Sequence, residues 1–301
     1  MLKRSAALLL CVLASPLASA QDFAMPGGVA PNEATLEQGM PELARQVLVA
    51  YHDDDPDTDL GNRYRLQLVA GQYTGAAATL NTLPARHPES APGHPFDRFL
   101  GEQLYVRTRE LQTVERLPVN DAVSQAFHET VAHYDDQAAL DSGWLLQTPL
   151  HRSTDTLQAL LTRLAGKDRI TLADALELVR DFVSVEAYQS LRPVVDGLVA
   201  EDDQRRYLIQ QDVLIRTPDG ATLSAVVVRS RSAPARQPTA LFTTVQTDLN
   251  YGLYQARYAA ARGYVGVTSD TRGKRLSPDP IVLYEDDMGP FRANSQWARD
   301  A

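Results

Sequence analysis

The sequence predicts an α/β protein in two parts, a mostly helical N-terminal domain followed by a short run of strands. Three observations carry this. Up to about residue 208 the apolar positions recur at helical spacing, and beyond it they alternate or run together at strand spacing. Proline clusters break up the first part, whereas a Pro-Asp-Gly turn punctuates the second. A length of 301 residues with 44% hydrophobic content gives room for two packed units. The expected organisation is a leader over 1–20, a helical domain over 21–208 and a strand-rich domain over 209–301.

The leader reading rests on its charge and its small residues. Lys3 and Arg4 precede an apolar stretch from Ala6 to Leu13, and Ala18-Ser19-Ala20 supplies the small-x-small pattern that a signal peptidase reads. Cleavage before Gln21 and a periplasmic or secreted destination follow as expectations. The apolar run is too short to cross a membrane as a helix. Cys11 lies inside this leader and is the only cysteine, so the mature chain has no disulfide and no thiolate metal site. Removing Lys3 and Arg4 from the 29 basic residues leaves 27 against 38 acidic ones, a net charge near −11. An acidic chain without a basic stripe argues against nucleic acid as a partner.

Helices come first. Leu157, Leu160, Leu161 and Leu164 recur at i, i+3, i+4, i+7, as do Leu172, Ala175, Leu176 and Val179, with Phe182 and Val183 extending the second stripe. Thr171 and Asp174 resemble a capping box at its start. Val123, Phe127 and Val131 mark another helix, and Leu43, Val47 and Tyr51 an earlier one. The stretch from Leu43 to Leu83, turning at Ala70-Gly71-Gln72-Tyr73, resembles one tetratricopeptide-type hairpin. No second or third copy follows, so a repeat array is not expected.

Strands follow. Ile209, Gln211, Val213 and Ile215 alternate with Gln210, Asp212, Leu214 and Arg216, as a half-buried strand does. Pro218-Asp219-Gly220 then turns the chain into a second strand from Thr222 to Arg229. Thr239 to Val245 and Tyr264 to Ser269 read as buried strands flanking a helix that Gly263 stops. Tyr251, Tyr254 and Tyr258 on that helix are expected to face the sheet. The sheet is expected to begin antiparallel and turn parallel.

Several of these pieces resemble the CocE/NonD hydrolases, relatives of the X-prolyl dipeptidyl peptidases. Thr217-Pro218-Asp219-Gly220-Ala221-Thr222-Leu223 is similar to the family's first hairpin. Tyr258-Ala259-Ala260-Ala261-Arg262-Gly263-Tyr264, followed by Ser269-Asp270-Thr271-Arg272-Gly273, is similar to its helix, strand and exit loop. Tyr284-Glu285-Asp286-Asp287 and Trp297 match the two ends of the next helix. The resemblance covers roughly 210–300. It implies the first strands of an α/β-hydrolase sheet and a serine acyl-enzyme chemistry on acyl esters, amides or X-prolyl peptides.

The same resemblance shows what is missing. The family's nucleophile sits on a Gly-x-Ser-x-Gly elbow, and none occurs in the sequence. The fold orders its triad Ser, Asp or Glu, then His, yet His52, His87, His94, His128, His133 and His151 all precede the strands. The chain therefore reads as truncated before the elbow and inactive alone, with no catalytic residue to name. The alternative is a non-catalytic periplasmic helical binding protein that keeps a hydrolase remnant as scaffold. Where relatives place a tyrosine on the oxyanion side, this chain has Thr244-Val245-Gln246-Thr247, and Gln246 is the candidate. Arg272 and Gly273 are candidates for the site rim, with turn shaping as their plainer role.

No cofactor and no metal is expected. His128 and His133 are spaced i, i+5, which points them about 140° apart on a helix. The acidic loop from Asp53 to Asp59 lacks the Gly and Glu of a calcium loop, having Leu60 and Leu66 at those places. Its carboxylates suit the entry to the next helix.

Overall fold

The computed structural model describes residues 22–29, 31–86, 99–147, 151–245 and 248–281. The expected leader, Gln246 and the 284–297 match lie outside them. The chain is mixed α/β. A short strand β1 (Asp22–Ala24) precedes helices α1 (Glu33–Ala50), α2 (Pro56–Val69), α3 (Tyr73–Leu80), α4 (Leu83–Arg86), α5 (Leu100–Val114), α6 (Val119–Val131), α7 (Asp136–Gln147) and α8 (His151–Leu164). Strand β2 (Arg169–Thr171) leads into α9 (Leu172–Arg206). The sheet follows as β3 (Tyr207–Arg216), β4 (Thr222–Ser230), β5 (Thr239–Thr244), α10 (Leu249–Ala260) and β6 (Val265–Asp270). No helix among the described residues is long and apolar enough to cross a membrane.

Helix α9 is the spine of the helical part. Its 35 residues span about 52 Å at 1.5 Å per residue. Ala175, Leu178 and Val179 pack with α1 and α8, Val183 and Ala187 with α2, α3 and α5, and Leu191, Val195 and Leu198 with α5 and α6. Its stripe thus serves three apolar clusters in turn, which explains why the periodicity runs so far. Thr171 caps it by accepting from the Asp174 backbone N–H at 3.2 Å. The expected box is only half made, because the Asp174 carboxylate turns to Arg163 at 2.8 Å and Lys167 at 3.8 Å.

Helix gives way to strand at Arg206/Tyr207, two residues before the expected boundary and without a linker. Arg206 welds the two parts. Its guanidinium donates to the carbonyls of Val131 (3.0 Å) and Tyr134 (2.9 Å) and pairs with Asp136 and Asp202. Tyr207 donates its hydroxyl to the Asp136 carbonyl, and Ser230 donates to the Asp136 carboxylate.

The sheet order is β3-β4-β6-β5, antiparallel for the first two pairings and parallel for β5 with β6. That is the expected change of sense. Two expectations fail, and both failures are physical. A bulge between Gln210 and Val213 adds one residue to β3, so Ile209 packs on the α10 face while Val213 and Ile215 pack on the other. A single alternating face therefore does not exist. Strand β5 is only half-buried because it is an edge among the described residues, whereas β4 and β6 are buried on both faces.

The tyrosine expectation is also overturned. Helix α10 turns Gly252, Ala256, Ala259 and Ala260 to the sheet, and Tyr251 and Tyr258 stay exposed. The reason is proximity. A Cβ on Gly266 of β6 would lie 1.9 Å from the Ala256 carbonyl oxygen, so only small residues fit that contact. Arg262 covers the ring of Tyr258 from the solvent side, 3.6 Å from its centroid.

Candidate functional site

The carboxyl ends of β5 and β6 lie side by side, where an open α/β sheet places its ligands. The segment after β6, Thr271 to Ile281, folds back across this end. Lys274 donates to the Val245 carbonyl just past β5, and Arg272 pairs with Asp219 on the β3–β4 turn. Asp279 accepts from the Thr222 backbone N–H at 2.6 Å. The segment thus ties the hairpin turn to the end of β5.

Of the expected rim residues, both are here, and both have structural duties. Gly273 adopts φ +74, and a Cβ would meet the Ile281 backbone N at 2.5 Å. Its N–H donates to the Ser277 hydroxyl at 3.0 Å. Glycine is needed for the backbone's left-handed turn and for the close approach. Arg272 is one-third exposed, and its charge is directed to Asp219. A hydrogen bond from Thr217, reinforced by Arg272, holds the Asp219 carboxyl below its usual range.

Arg275 is the residue that sequence reading missed. It sits at φ +53 and donates to the Asp270 carboxylate at 3.0 Å and the carbonyls of Gln211 at 2.6 Å and Ala225 at 2.8 Å. Gln211 lies within the β3 bulge, so the arginine fills hydrogen-bonding needs that the bulge opens in the ladder. Nothing local in the sequence marks it, because neither the bulge nor the positive φ is visible there. Burial pushes the Asp270 carboxyl up, and Arg275 offsets this only in part.

A second recess lies where the helical part meets the sheet. It is a cleft of about 590 Å3 between α9, α10 and β3, lined by Asp203, Gln204, Gln211, Asp212, Asn250 and Arg257 among others. Trp144 and Tyr254 line a separate recess of about 30 Å3 beside it, which shares Gln147, Val199, Asp203 and Arg257 with the cleft. Asp203 and Arg257 form an ion pair there, and burial pushes the Asp203 carboxyl up against that pairing.

A third recess, about 640 Å3, runs along α1, α8 and α9 over Leu36, Leu157, Leu161 and Phe182. Asp55 caps α2 through the Thr58 N–H at 2.7 Å, Asp59 pairs with Arg63, and His133 lies beyond the end of α6. Among the described residues no cluster of three or more His, Cys, Asp or Glu could hold a metal ion. Comparison with family models, curated proteins and solved structures returned no match.

Proposed function

We propose that the chain is the exported N-terminal portion of a CocE/NonD-type serine α/β-hydrolase, a family acting on acyl esters, amides or X-prolyl peptides. One observation carries the reading. The sheet is an antiparallel hairpin followed by a parallel pair joined through α10, with the later strand β6 lying inside the earlier β5. That change of sense supports reading these as the opening strands of an α/β-hydrolase, with the Asp270-Thr271-Arg272-Gly273 turn following β6 at its carboxyl end. The outer edge of β5, unpaired among the described residues, is where such a sheet continues.

In this reading the 301 residues supply the frame of a site and not its nucleophile. The acyl-enzyme step needs a serine on a strained elbow and a histidine base after it, and the chain has neither in that order. A fluorophosphonate probe is expected to leave the 301-residue protein unlabelled; stoichiometric labelling of any serine overturns that. The family assignment has its own test. Reading the transcript past codon 301 is expected to reveal Gly-x-Ser-x-Gly and a late histidine, in frame or after one frameshift. Their absence from every frame sinks it. That result would favour a non-catalytic helical binding protein, for which the apolar recess along α1, α8 and α9 is the supporting observation.

A further inference from the structure

We propose that the cleft between the helical part and the sheet binds a neutral saccharide. Three properties of its lining point there. Its volume, about 590 Å3, falls in the range of small-ligand sites. Amides dominate its polar groups: Gln147, Gln204, Gln211 and Asn250. Each amide offers a donor and an acceptor side by side, which matches a sugar hydroxyl that gives one hydrogen bond and takes another. The carboxylates of Asp203 and Asp212 add acceptors for further hydroxyls.

Charge narrows the class. Among the described residues Arg257 is the only cation in the lining, and it is already paired with Asp203. With Asp203 and Arg257 matched, the lining charge left over is that of Asp212, so a phosphate, sulfate or carboxylate would meet repulsion. A neutral polyol would not.

Two aromatic residues border the recess that adjoins the cleft. Trp144 is 54% exposed, a large apolar surface that contributes little to the core. Tyr254 lines the same adjoining recess from α10, on the side of that helix that does not pack on the sheet. Flat rings beside hydrogen-bonding amides suit a pyranose, whose axial C–H groups form an apolar face and whose hydroxyls project from its edge. Asn250 brings the first turn of α10 into the lining. The inference stands independently of the hydrolase reading, since no step of it uses a nucleophile.

The experiment titrates the whole chain with cellobiose, maltose and N,N′-diacetylchitobiose by calorimetry, alongside an array of neutral glycans. Saturable binding to at least one is expected. Trp144→Ala, at an exposed position, is expected to weaken it by about tenfold, the scale of one aromatic contact. Asn250→Ala and Gln211→Ala should weaken it several-fold, while Gln158→Ala in the distant α8 recess leaves it unchanged. Circular dichroism of each variant confirms that it is folded. Absence of binding to every neutral glycan overturns the proposal, as does binding that Trp144→Ala and Asn250→Ala leave intact. Binding of a proline-containing tripeptide in place of any sugar overturns it too, and assigns the cleft to peptides.

Discussion

Asp174 in the helical part and Asp270 in the sheet are both 8% exposed and both paired with an arginine, yet their acidities move in opposite directions. For Asp174, burial alone would raise the carboxyl, but the Thr171 hydrogen bond, Arg163 and Lys167 together outweigh it and hold it low. It also sits in the first turn of α9, where the helix dipole favours negative charge. For Asp270, burial wins. Its paired cation, Arg275, divides its donors between the carboxylate and two backbone carbonyls, and Lys274 adds only a longer-range charge. An arginine that saturates backbone is a pin, and only secondarily a counter-charge. The Asp174 pair therefore keeps charge at a helix end, and the Asp270 pair helps to close an irregular ladder.

The largest test of this contrast is Arg275→Met. Removing the pin leaves a buried carboxylate with no paired cation, only the longer-range charge of Lys274, and two carbonyls without this donor. The expected loss is about 3 kcal/mol, the lower end of the cost of breaking a buried pair. Urea unfolding of the variant reads it as a lower midpoint at unchanged slope. A loss under about 1 kcal/mol would mean that water replaces the guanidinium, and the pin argument would fail.

Arg163→Met should do much less. Arg163 is half exposed, and Lys167 remains beside Asp174 after its removal. An expected cost of about 1 kcal/mol or less follows from solvent screening of exposed pairs. If the two variants cost the same, the distinction between pinning and charge placement is wrong. Raising the salt concentration sharpens the comparison, because the Arg163 effect should shrink and the Arg275 effect should persist.

What could be read from the chain follows the same division. Helical periodicity is local, so Leu157 to Leu164 and Leu172 to Val183 announced α8 and α9 without knowledge of anything else. The hairpin turn at Pro218-Asp219-Gly220 and the helix stop at Gly263 were legible for the same reason, since each residue type fixes its own backbone. Which way a side chain faces in a sheet depends on the partner strand. The β3 bulge reversed the face of Val213 and Ile215 relative to Ile209, and no residue in 207–216 signals it. Tyrosines at helical spacing looked like a buried stripe, but Gly266 brings α10 too near the sheet for rings to fit between. Arg272 and Gly273 could be placed from the motif, whereas Arg275 required the bulge to be known. The amide-lined cleft was invisible, because Gln147, Gln211 and Asn250 come from three elements distant in sequence.

The smallest effect, and the one that separates the two aspartates most directly, is in the pH dependence of stability. Asp174 is depressed in the folded state, so below its unfolded value of 3.8 the unfolded chain binds the proton more readily. Its contribution is present above that value and is lost as pH falls through the folded pKa. Asp270 is raised, so the folded state holds the proton more readily between 3.8 and its folded value. Its contribution is present below 3.8 and is lost as pH rises through that folded value. Asparagine cannot titrate at either place. The stability of the wild type relative to Asp174→Asn is therefore expected to grow as pH rises toward and past 3.8, and its stability relative to Asp270→Asn to shrink as pH rises above it. Urea midpoints measured across pH 2.5 to 7 give both differences, a range set by the values expected for carboxyl groups, about 4 with shifts of a unit or more. Slopes of the same sign for both substitutions would show that the Arg275 charge, and not burial, governs Asp270, and that the two sites obey one rule after all.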